Sequence, residues 1–545
     1  MVQVAASYDA VVIGSGHNGL TAACCLAAAG QRVLVLERQA EFGGATTSQR
    51  VFPDHDAWLS RYSYLVSLFP RRLQQLLQLD FRTLQRRTAS FTPWTDACGG
   101  ARGLVISNPD ADRTRASLEE LGGSEAVRGW QEFGELQAAV AELVWPSLTQ
   151  PLRTRRSFEQ QLITNLQRRA WRAFVERPLG EIIEQVFAHD VLRGLVMTDG
   201  KIGVFTEPHD ASLLQNRCFL YHIIGNGCGE WRVPEGGMRS LVNALLKRCH
   251  ELGVTLVADA AALHIEPGRE LQSVTYSDPR DGSQQRVLGR SVLINAGPRT
   301  QARLLGKTWQ PRNEDEGSVV KINLLLERLP KVRAAGVSPE EAFGGTFHID
   351  EGYEQMRNSW NAAASGNVPD TPPGEVYCHT LTDPSILSAA LQTAGWHTLT
   401  LFGLDMPYRL FGNVDPAEHA TRKQLVLQKY LAGLNRICEE PIEACVARAA
   451  DGSPCVEIKS PVDLEQELDL DLGNIFHNQL SWFFGSDEAD GELPAGTAPG
   501  QWGVETEHPR IFVCGSSAHR GGAVSGIPGY NAACCVLGPN VLPEV

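Results

Sequence analysis

The sequence predicts an α/β fold built around a Rossmann-like nucleotide-binding domain, which is discontinuous because long insertions separate its parts. Three observations lead to this prediction. A strand, a glycine-rich turn and a helix follow one another near the start of the sequence, the same order returns near its end, and long segments of mixed pattern lie between them. Elements that alternate in this way are typical of a parallel sheet covered by helices.

The composition is that of a large folded protein. Of the 545 residues, 43% are hydrophobic and 21% are charged, which is ordinary for globular chains. At roughly 100 to 200 residues per domain, this length predicts about three structural units. The net charge of -14 argues against a general affinity for nucleic-acid phosphates, so we expect a small-molecule ligand and no nucleic-acid partner.

The thirteen cysteines do not form a C-x-x-C pair, and their number is odd. The first residues lack the pattern of a secretory signal, and no run approaches the roughly 18 apolar residues of a membrane-spanning helix. These features predict free, mostly buried thiols, a cytoplasmic location and no zinc or other metal site.

The first nucleotide-binding pattern begins with residues 9–13, an apolar run typical of a buried strand. Residues 14–19 follow as G-x-G-x-x-G, residues 20–29 are rich in alanine and favour a helix, and residues 32–36 read as the next strand. The complete β-α-β context predicts a dinucleotide site.

Each residue of this pattern has a physical reason. Gly14 permits the tight turn, Gly16 lets a pyrophosphate approach the backbone, and Gly19 lets helix and strand pack closely. The free N–H groups at the start of the helix bind the anion. Glu37, at the end of the second strand, is placed to accept hydrogen bonds from a ribose, and an acid here favours a free 2′-hydroxyl.

A second glycine pair, Gly43-Gly44, stands soon after the second strand. Adjacent glycines at this position let the chain pass close to the phosphates or rings of a long, extended cofactor. The sequence therefore favours FAD over NAD.

These residues resemble the phytoene-desaturase-like flavoproteins, which include carotenoid desaturases and isomerases, and among them the branch of pyridine nucleotide-disulfide oxidoreductase domain-containing protein 2 and its bacterial relatives. The likeness covers most of the chain. Besides the two N-terminal glycine motifs it is carried by residues 231–238, 294–297, 321–324, 473–477 and 513–524.

In that family the last glycine-rich segment closes the FAD site beside the isoalloxazine ring, and a strand near Ala262 lies beside the adenine. The fingerprint and the resemblance together imply a set of cofactor-binding residues: Gly14, Ser15, Gly16, Asn18, Gly19, Glu37, Arg38, Gly43, Gly44, Ala45, Thr46, Ala262, Gly297, Gly515, Gly521, Gly522, Ala523 and Val524.

The same pattern divides the chain into five parts. Residues 1–75, 231–305 and 500–545 are expected to form the FAD-binding domain. Residues 76–230 look helical and are expected to form a lid and part of the substrate domain, and residues 306–499 mix strands and helices in an α+β substrate domain.

Three polar residues are candidates for catalysis: His519 and Arg520 in the terminal loop, and His55 after the glycine pair. A flavin that oxidises a C–H bond needs a hydride path and sometimes a base. His519 could instead only bond the loop backbone. Arg520 stands where the family usually has proline, and it could stabilise charge on the flavin, bind an anionic substrate group or point to solvent.

Two related enzyme classes are disfavoured. A disulfide reductase needs a reactive dithiol beside the flavin, and the adjacent pairs Cys24-Cys25 and Cys534-Cys535 lie in predicted helices, where they read as packing residues. A separate nicotinamide domain would need a second fingerprint, and residues 225–229 lack the following helix. Electrons are therefore expected to reach oxygen, a quinone or another acceptor, or to return to the substrate.

The sequence thus predicts an FAD-dependent oxidoreductase that dehydrogenates or isomerises a hydrophobic, isoprenoid or carotenoid-like substrate. A flavin amine oxidase and a non-catalytic, FAD-stabilised binding protein remain as alternatives. Arginines interleaved with apolar residues over 153–177 leave peripheral membrane contact open.

Overall fold

The computed structural model describes residues 6–486, 494–538 and 541–543. Its strands are Ala6–Ile13 (β1), Val33–Leu36 (β2), Ser48–Gln49 (β3), Leu59–Ser60 (β4), Thr83–Leu84 (β5), Thr88–Thr95 (β6), Ala101–Ser107 (β7), Val233–Pro234 (β8), Thr255–Val257 (β9), Ala262–Glu266 (β10), Gln272–Ser277 (β11), Gln284–Ile294 (β12), Val320–Leu326 (β13), Thr346–Ile349 (β14), Gly374–Tyr377 (β15), His397–Gly403 (β16), Val456–Lys459 (β17) and Ile511–Val513 (β18).

The α-helices are His17–Ala28 (α1), Arg71–Leu76 (α2), Ala111–Val144 (α3), Arg155–Glu159 (α4), Asn165–Trp171 (α5), Leu179–Val186 (α6), Asp190–Met197 (α7), Leu214–Ile223 (α8), Arg239–Glu251 (α9), Pro298–Leu304 (α10), Pro339–Phe343 (α11), Tyr353–Ala364 (α12), Ala389–Thr393 (α13), Pro416–Ile437 (α14), Pro461–Leu468 (α15) and Ile527–Leu537 (α16). None of the helices within the described ranges is long and apolar enough to cross a membrane.

The first sheet has the order β10-β11-β12-β1-β2-β9, and β18 pairs with the end of β12. The pairs β1–β12, β1–β2, β2–β9 and β12–β18 are parallel, whereas β10, β11 and β12 are antiparallel neighbours. Strands from three distant stretches of chain therefore build one sheet. The predicted discontinuous Rossmann-like fold is confirmed.

Helices α1, α9 and α16 cover one face of this sheet, and their apolar side chains form a common core with β1 and β2. Helix α1 can lie deep in the protein because it consists largely of small and apolar residues, and Cys24 and Cys25 are fully buried within it. All thirteen cysteines are free, as the sequence predicts.

The second sheet has the order β17-β13-β16-β15-β14-β6-β7. Its strands β6 and β7 fall in a stretch that the sequence analysis expected to be helical, so that expectation is wrong for residues 88–107. The tight turn between them is stabilised by Asp96, whose carboxylate accepts hydrogen bonds from Cys98 N at 2.9 Å and Gly100 N at 2.7 Å. Such a carboxylate turn joins two strands locally, and helical periodicity cannot reveal it.

Helices α3 to α8 form a layer with its own apolar core. Helix α3 is interrupted at Gly122 and Gly123, where Gly123 has a φ of 63°. The aromatic run 482–484 packs into this core against Phe158 and Trp171. The two sheets and the helical layer together enclose the cavities described below.

Candidate functional site

A glycine loop connects β1 to α1 and approaches Asn295 closely. A Cβ atom on Gly14, whose φ is 93°, would lie 2.5 Å from Asn295 O, and one on Gly19 would lie 2.3 Å from Gly14 O. Asn295 Nδ2 donates hydrogen bonds to Gly14 O at 3.2 Å and Gly16 O at 3.4 Å. Gly14 and Gly19 therefore cannot carry a side chain, because backbone atoms occupy the space that its Cβ atom would need.

Glu37 supports this loop from the neighbouring strand. Its carboxylate accepts hydrogen bonds from Ser15 N at 2.9 Å, Ser15 Oγ at 2.6 Å and Gln39 N at 2.9 Å. Ser15 Oγ in turn accepts a hydrogen bond from Gly43 N at 3.2 Å. Glu37 therefore links the two glycine motifs, a role that the sequence analysis did not predict, and it still faces the groove where a ribose was expected.

A cavity of about 420 Å³, here called the cofactor groove, runs along this loop. It is lined by twelve of the eighteen predicted cofactor-binding residues: Gly14, Ser15, Gly16, Asn18, Glu37, Arg38, Gly43, Gly44, Ala45, Thr46, Ala262 and Gly297. Helix α1 opens into it without a side-chain cap and without an acid in its first turn. Its first N–H groups are therefore available to an anion.

A second cavity of about 200 Å³, here called the inner cavity, continues from the groove. Gly522, Ala523 and Val524 of the terminal loop line it, and this is the segment that the resemblance leads us to expect beside the flavin ring. The two cavities share His17, Ala45, Thr46, Tyr62, Leu468, Leu470, His477 and Ser516. The predicted residues Gly19, Gly515 and Gly521 line neither cavity, and each lies against neighbouring chain too closely to accept a side chain.

At the junction of the cavities, His17 at the start of α1 contacts both the chain after the second glycine motif and the terminal loop. Its Nδ1 is 2.9 Å from Thr46 Oγ1 and its Nε2 is 2.9 Å from Ala523 O. Burial lowers the pKa of His17 to about 4, so the ring is neutral at pH 7. A neutral ring that donates to Ala523 O and accepts from Thr46 satisfies both contacts.

The inner cavity has an apolar part and a polar part. Its apolar side chains are Leu65, Ile202, Trp231, Phe402, Leu464, Leu468, Leu470, Ile475, Phe476 and Val524, and its ionisable side chains besides the histidines are Tyr62, Tyr64, Arg86, Asp199, Tyr221, Lys321, Glu375 and Tyr377. Sequence reasoning missed most of the polar set. The signal that could have found them is a charged residue within an apolar strand, as in Lys321 of β13 and Glu375 of β15.

Lys321 joins the second sheet to the chain beside the groove. Its Nζ donates hydrogen bonds to Ser60 O at 2.9 Å and Tyr62 O at 2.5 Å and lies 4.7 Å from the centre of the Tyr64 ring. Burial lowers the pKa of Lys321 well below its ordinary value.

A buried group of acids and one imidazole adjoins the inner cavity. Cross-strand neighbours His348 and Glu375 meet Glu351, with one possible ligand atom from each within 4.8 Å of the others. The sequence analysis predicted no metal site, and these residues could hold a metal ion. In the structure His348 Nδ1 is hydrogen bonded to Glu351 Oε2, and the Tyr377 hydroxyl donates to Glu375, so both acids have protein partners.

The three residues predicted for catalysis lie outside the lining of both cavities. Arg520 is buried, and its Nη atoms donate hydrogen bonds to the carbonyl oxygens of Ser147, Gln150 and Trp502 at 2.7 to 2.8 Å. It therefore points neither to a flavin nor to solvent, because three carbonyl groups hold it inside the protein.

His519 and His55 are also bonded to the backbone. His519 Nε2 is 3.0 Å from Phe484 O, and burial lowers the pKa of His519 to about 4. His55 Nε2 is 2.9 Å from Arg448 O, and its ring packs against Trp396. These contacts hold loops together and give neither histidine a path to the inner cavity.

Comparison with known proteins places the glycine loop in a described family. Residues 12–78 match the NAD(P)-binding Rossmann-like domain. A Mycobacterium tuberculosis protein described as uncharacterized is 42% identical over 97% of both chains. Rat pyridine nucleotide-disulfide oxidoreductase domain-containing protein 2 is 28% identical over 96% of this chain and 92% of its own. A lycopene-forming phytoene desaturase of Pantoea ananas is 25% identical over 52% of this chain and 55% of its own.

Solved structures share the fold. An oxidoreductase from Methanosarcina mazei superposes with a TM-score of 0.55 and 15% identity over 97% of this chain and 99% of its own. A putrescine oxidase variant gives a TM-score of 0.53 and 16% identity over 98% and 99%. At this identity the likeness concerns the fold alone.

Proposed function

The chain belongs to the phytoene-desaturase-like family of flavin-dependent oxidoreductases, and from this premise we propose that it binds FAD and dehydrogenates or isomerises an apolar, isoprenoid-like substrate. The observation that carries the proposal is the continuity of the cofactor groove with the inner cavity through eight shared residues. A dinucleotide in the groove would bring its ring system to that junction.

The chemistry of the groove fits FAD. The uncapped start of α1 faces it, which suits a pyrophosphate, and Glu37 faces it at the end of β2, which suits a ribose. Bound FAD supplies the hydride acceptor for the reaction. The chain's own residues would orient the cofactor through backbone amides, and burial keeps the His17 ring at the junction neutral.

The wall of the inner cavity supports an apolar substrate. Leu468 and Leu470 line both cavities, so the substrate part nearest the cofactor would meet aliphatic side chains. The terminal loop contributes Val524 to the same wall. Such surfaces exclude water from the place where hydride would be transferred.

The proposal is tested by anaerobic titration of the purified yellow protein with polyenes, terpenes, amines and alcohols. Loss of the flavin absorbance on addition of a terpene or polyene, with formation of the desaturated or isomerised product, is the expected result. A colourless protein, or a flavin that none of these compounds reduces and that catalyses no isomerisation, would refute the proposed function.

A flavin amine oxidase is the second candidate. Tyr64, Tyr221 and Tyr377 together with two carboxyl side chains line the inner cavity, and aromatic rings with acids are surfaces that bind organic cations. Reduction of the flavin by amines, with peroxide formed on aeration, would select this activity over the first.

We also propose oxygen or a quinone as the electron acceptor, and contact with an anionic membrane through the segment that contains α4 and α5. Ile163 there is 81% exposed. Several arginines are paired, Arg155 with Glu159 and Arg169 with Glu132, which reduces the positive charge of this surface. Sedimentation with phosphatidylserine vesicles, compared with Ile163→Asp, measures the contact.

A further inference from the structure

Arg86 presents a buried guanidinium group to the inner cavity. It stands just before β6, only 9% of its surface is exposed, and its Nη1 donates a hydrogen bond to Thr346 Oγ1 at 3.0 Å. Its Nε is buried without a hydrogen-bond partner. Because a guanidinium offers five N–H donors and stays charged in proteins, one hydroxyl contact leaves most of its binding capacity unused.

No counter-ion for Arg86 lies within 4.0 Å among the residues in the described part of the chain. Asp199 and Glu375 line the same cavity without reaching the guanidinium. The Tyr377 hydroxyl donates a hydrogen bond to Glu375, so this carboxyl group already has a protein partner other than Arg86. The ring of Tyr377 lies 5.9 Å from Arg86 Cζ, which gives a weak cation–π contact and no compensating charge.

The position of Arg86 within the inner cavity predicts how a bound ligand would be oriented. Arg86, Asp199 and Glu375 line the inner cavity and not the cofactor groove, whereas Leu468 and Leu470 line both. Arg86 therefore lies outside the lining of the cofactor groove, whereas the aliphatic side chains of Leu468 and Leu470 adjoin that groove.

We propose that the inner cavity binds an apolar molecule carrying one carboxylate, and that Arg86 binds this carboxylate. The guanidinium fork matches a carboxylate in geometry and charge, and such pairs are stronger than neutral hydrogen bonds. The inference rests on the proposed function in one respect: the carboxylate would hold the aliphatic body of a substrate against the flavin.

The first experiment needs no substitution. Isothermal titration calorimetry on the holoprotein compares four probes with the same carbon skeleton: geranic acid, geraniol, geranial and the hydrocarbon myrcene. We expect geranic acid to bind at least about 10-fold more tightly than the other three, as hydrogen bonds to charged groups allow. Equal affinity for all four, or preference for the alcohol or hydrocarbon, overturns the proposal.

The second experiment assigns the preference to one side chain. Arg86→Met should weaken geranic acid binding by about 10- to 100-fold and change geraniol binding by less than about threefold. Arg86→Lys keeps the charge without the fork and should give an intermediate affinity. The matched control is Arg87→Met, because Arg87 is the exposed neighbour of Arg86. An acid preference that survives in Arg86→Met refutes the assignment.

Failure of the carboxylate site and failure of the proposed function can be distinguished experimentally. Calorimetry reports binding whether or not the flavin is reduced, and the flavin content of each variant is measured from its absorbance. A protein that binds the acid without reducing flavin would contradict the proposed reaction and leave the carboxylate site standing. A protein whose flavin is reduced by these compounds, but which binds the acid no more tightly than the hydrocarbon, would support the proposed reaction and refute the carboxylate site.

Discussion

Gly16 is a position where one added side chain should separate cofactor binding from folding. A Cβ atom there would lie 2.9 Å from Asn295 Nδ2, the end of a side chain that can move, and the larger branches of valine would enter the groove. We predict that Gly16→Val lowers flavin content at least about 10-fold while the protein still folds. Absorbance of the purified protein measures flavin content, and circular dichroism measures folding.

Gly134 provides the matched control for that substitution, because it lies exposed in α3 and a Cβ there would meet nothing within 4 Å. Gly134→Val should keep its full flavin content. Normal flavin content in Gly16→Val would contradict the position assigned to the pyrophosphate.

Glu375 should make stability depend on pH. Burial raises its pKa from 4.5 to about 8, so between these pH values the folded protein holds a proton that the unfolded chain has released. Stability contributed by this group therefore falls as pH rises through the window, by up to about 1.4 kcal/mol per pH unit. Glu375→Gln does not titrate, so its free energy of unfolding relative to the wild type should increase from pH 5 to pH 8.

Urea unfolding at the two pH values measures this difference. Glu119→Gln, at an exposed position on α3, is the control and should show the same difference from the wild type at both pH values. A constant difference for Glu375→Gln would mean that the carboxyl of the wild type is ionised throughout the window.

At the scale of elements, the loop between β18 and α16 is fixed to the turn after α3 by Arg520. Removing its guanidinium takes a donor from three carbonyl groups, of which Ser147 O still accepts a hydrogen bond from Gln150 N at 3.2 Å. Each carbonyl group left unsatisfied would cost about 1 to 3 kcal/mol. We predict that Arg520→Met lowers both the melting temperature and flavin retention. Arg510→Met, at an exposed position just before β18, should change neither.

The same variant tests the role that sequence reasoning gave to Arg520. A catalytic arginine would lose turnover while keeping its melting temperature and flavin. If Arg520→Met melts like the wild type and fails only in turnover, the structural role described above is wrong.

The contrast between Gly14 and Arg520 shows what the sequence could reveal. The Gly14 loop was predictable because the whole motif, from strand to turn to helix, is contiguous in the sequence. The role of Arg520 was not predictable, because its partners Ser147, Gln150 and Trp502 are not its neighbours in the sequence. No local sequence pattern indicates that these residues contact Arg520. Arg86 and Glu375 were missed for the same reason, since only the fold brings β6, β14 and β15 together.

At the scale of the whole molecule, the two ends of the described chain meet in the first sheet. Strands β1 and β18 are the parallel neighbours of β12 on its two sides, and α1 packs on α16. The cofactor groove and inner cavity take residues from all three stretches of this sheet, including Ala262, Gly297 and the terminal loop. A dinucleotide bound there would contact segments that are far apart in the sequence.

Binding of FAD should therefore stabilise the whole first domain. A ligand at 100 times its dissociation constant adds about 2.7 kcal/mol to the stability of the folded state. We predict that the flavin-free protein melts at a lower temperature and that added FAD restores the original value. FMN should restore much less, because it lacks the adenosine half that would lie between Glu37 and Ala262. Differential scanning calorimetry measures all three states, and equal stabilisation by FMN and FAD would show that the groove beside Ala262 does not bind the adenosine.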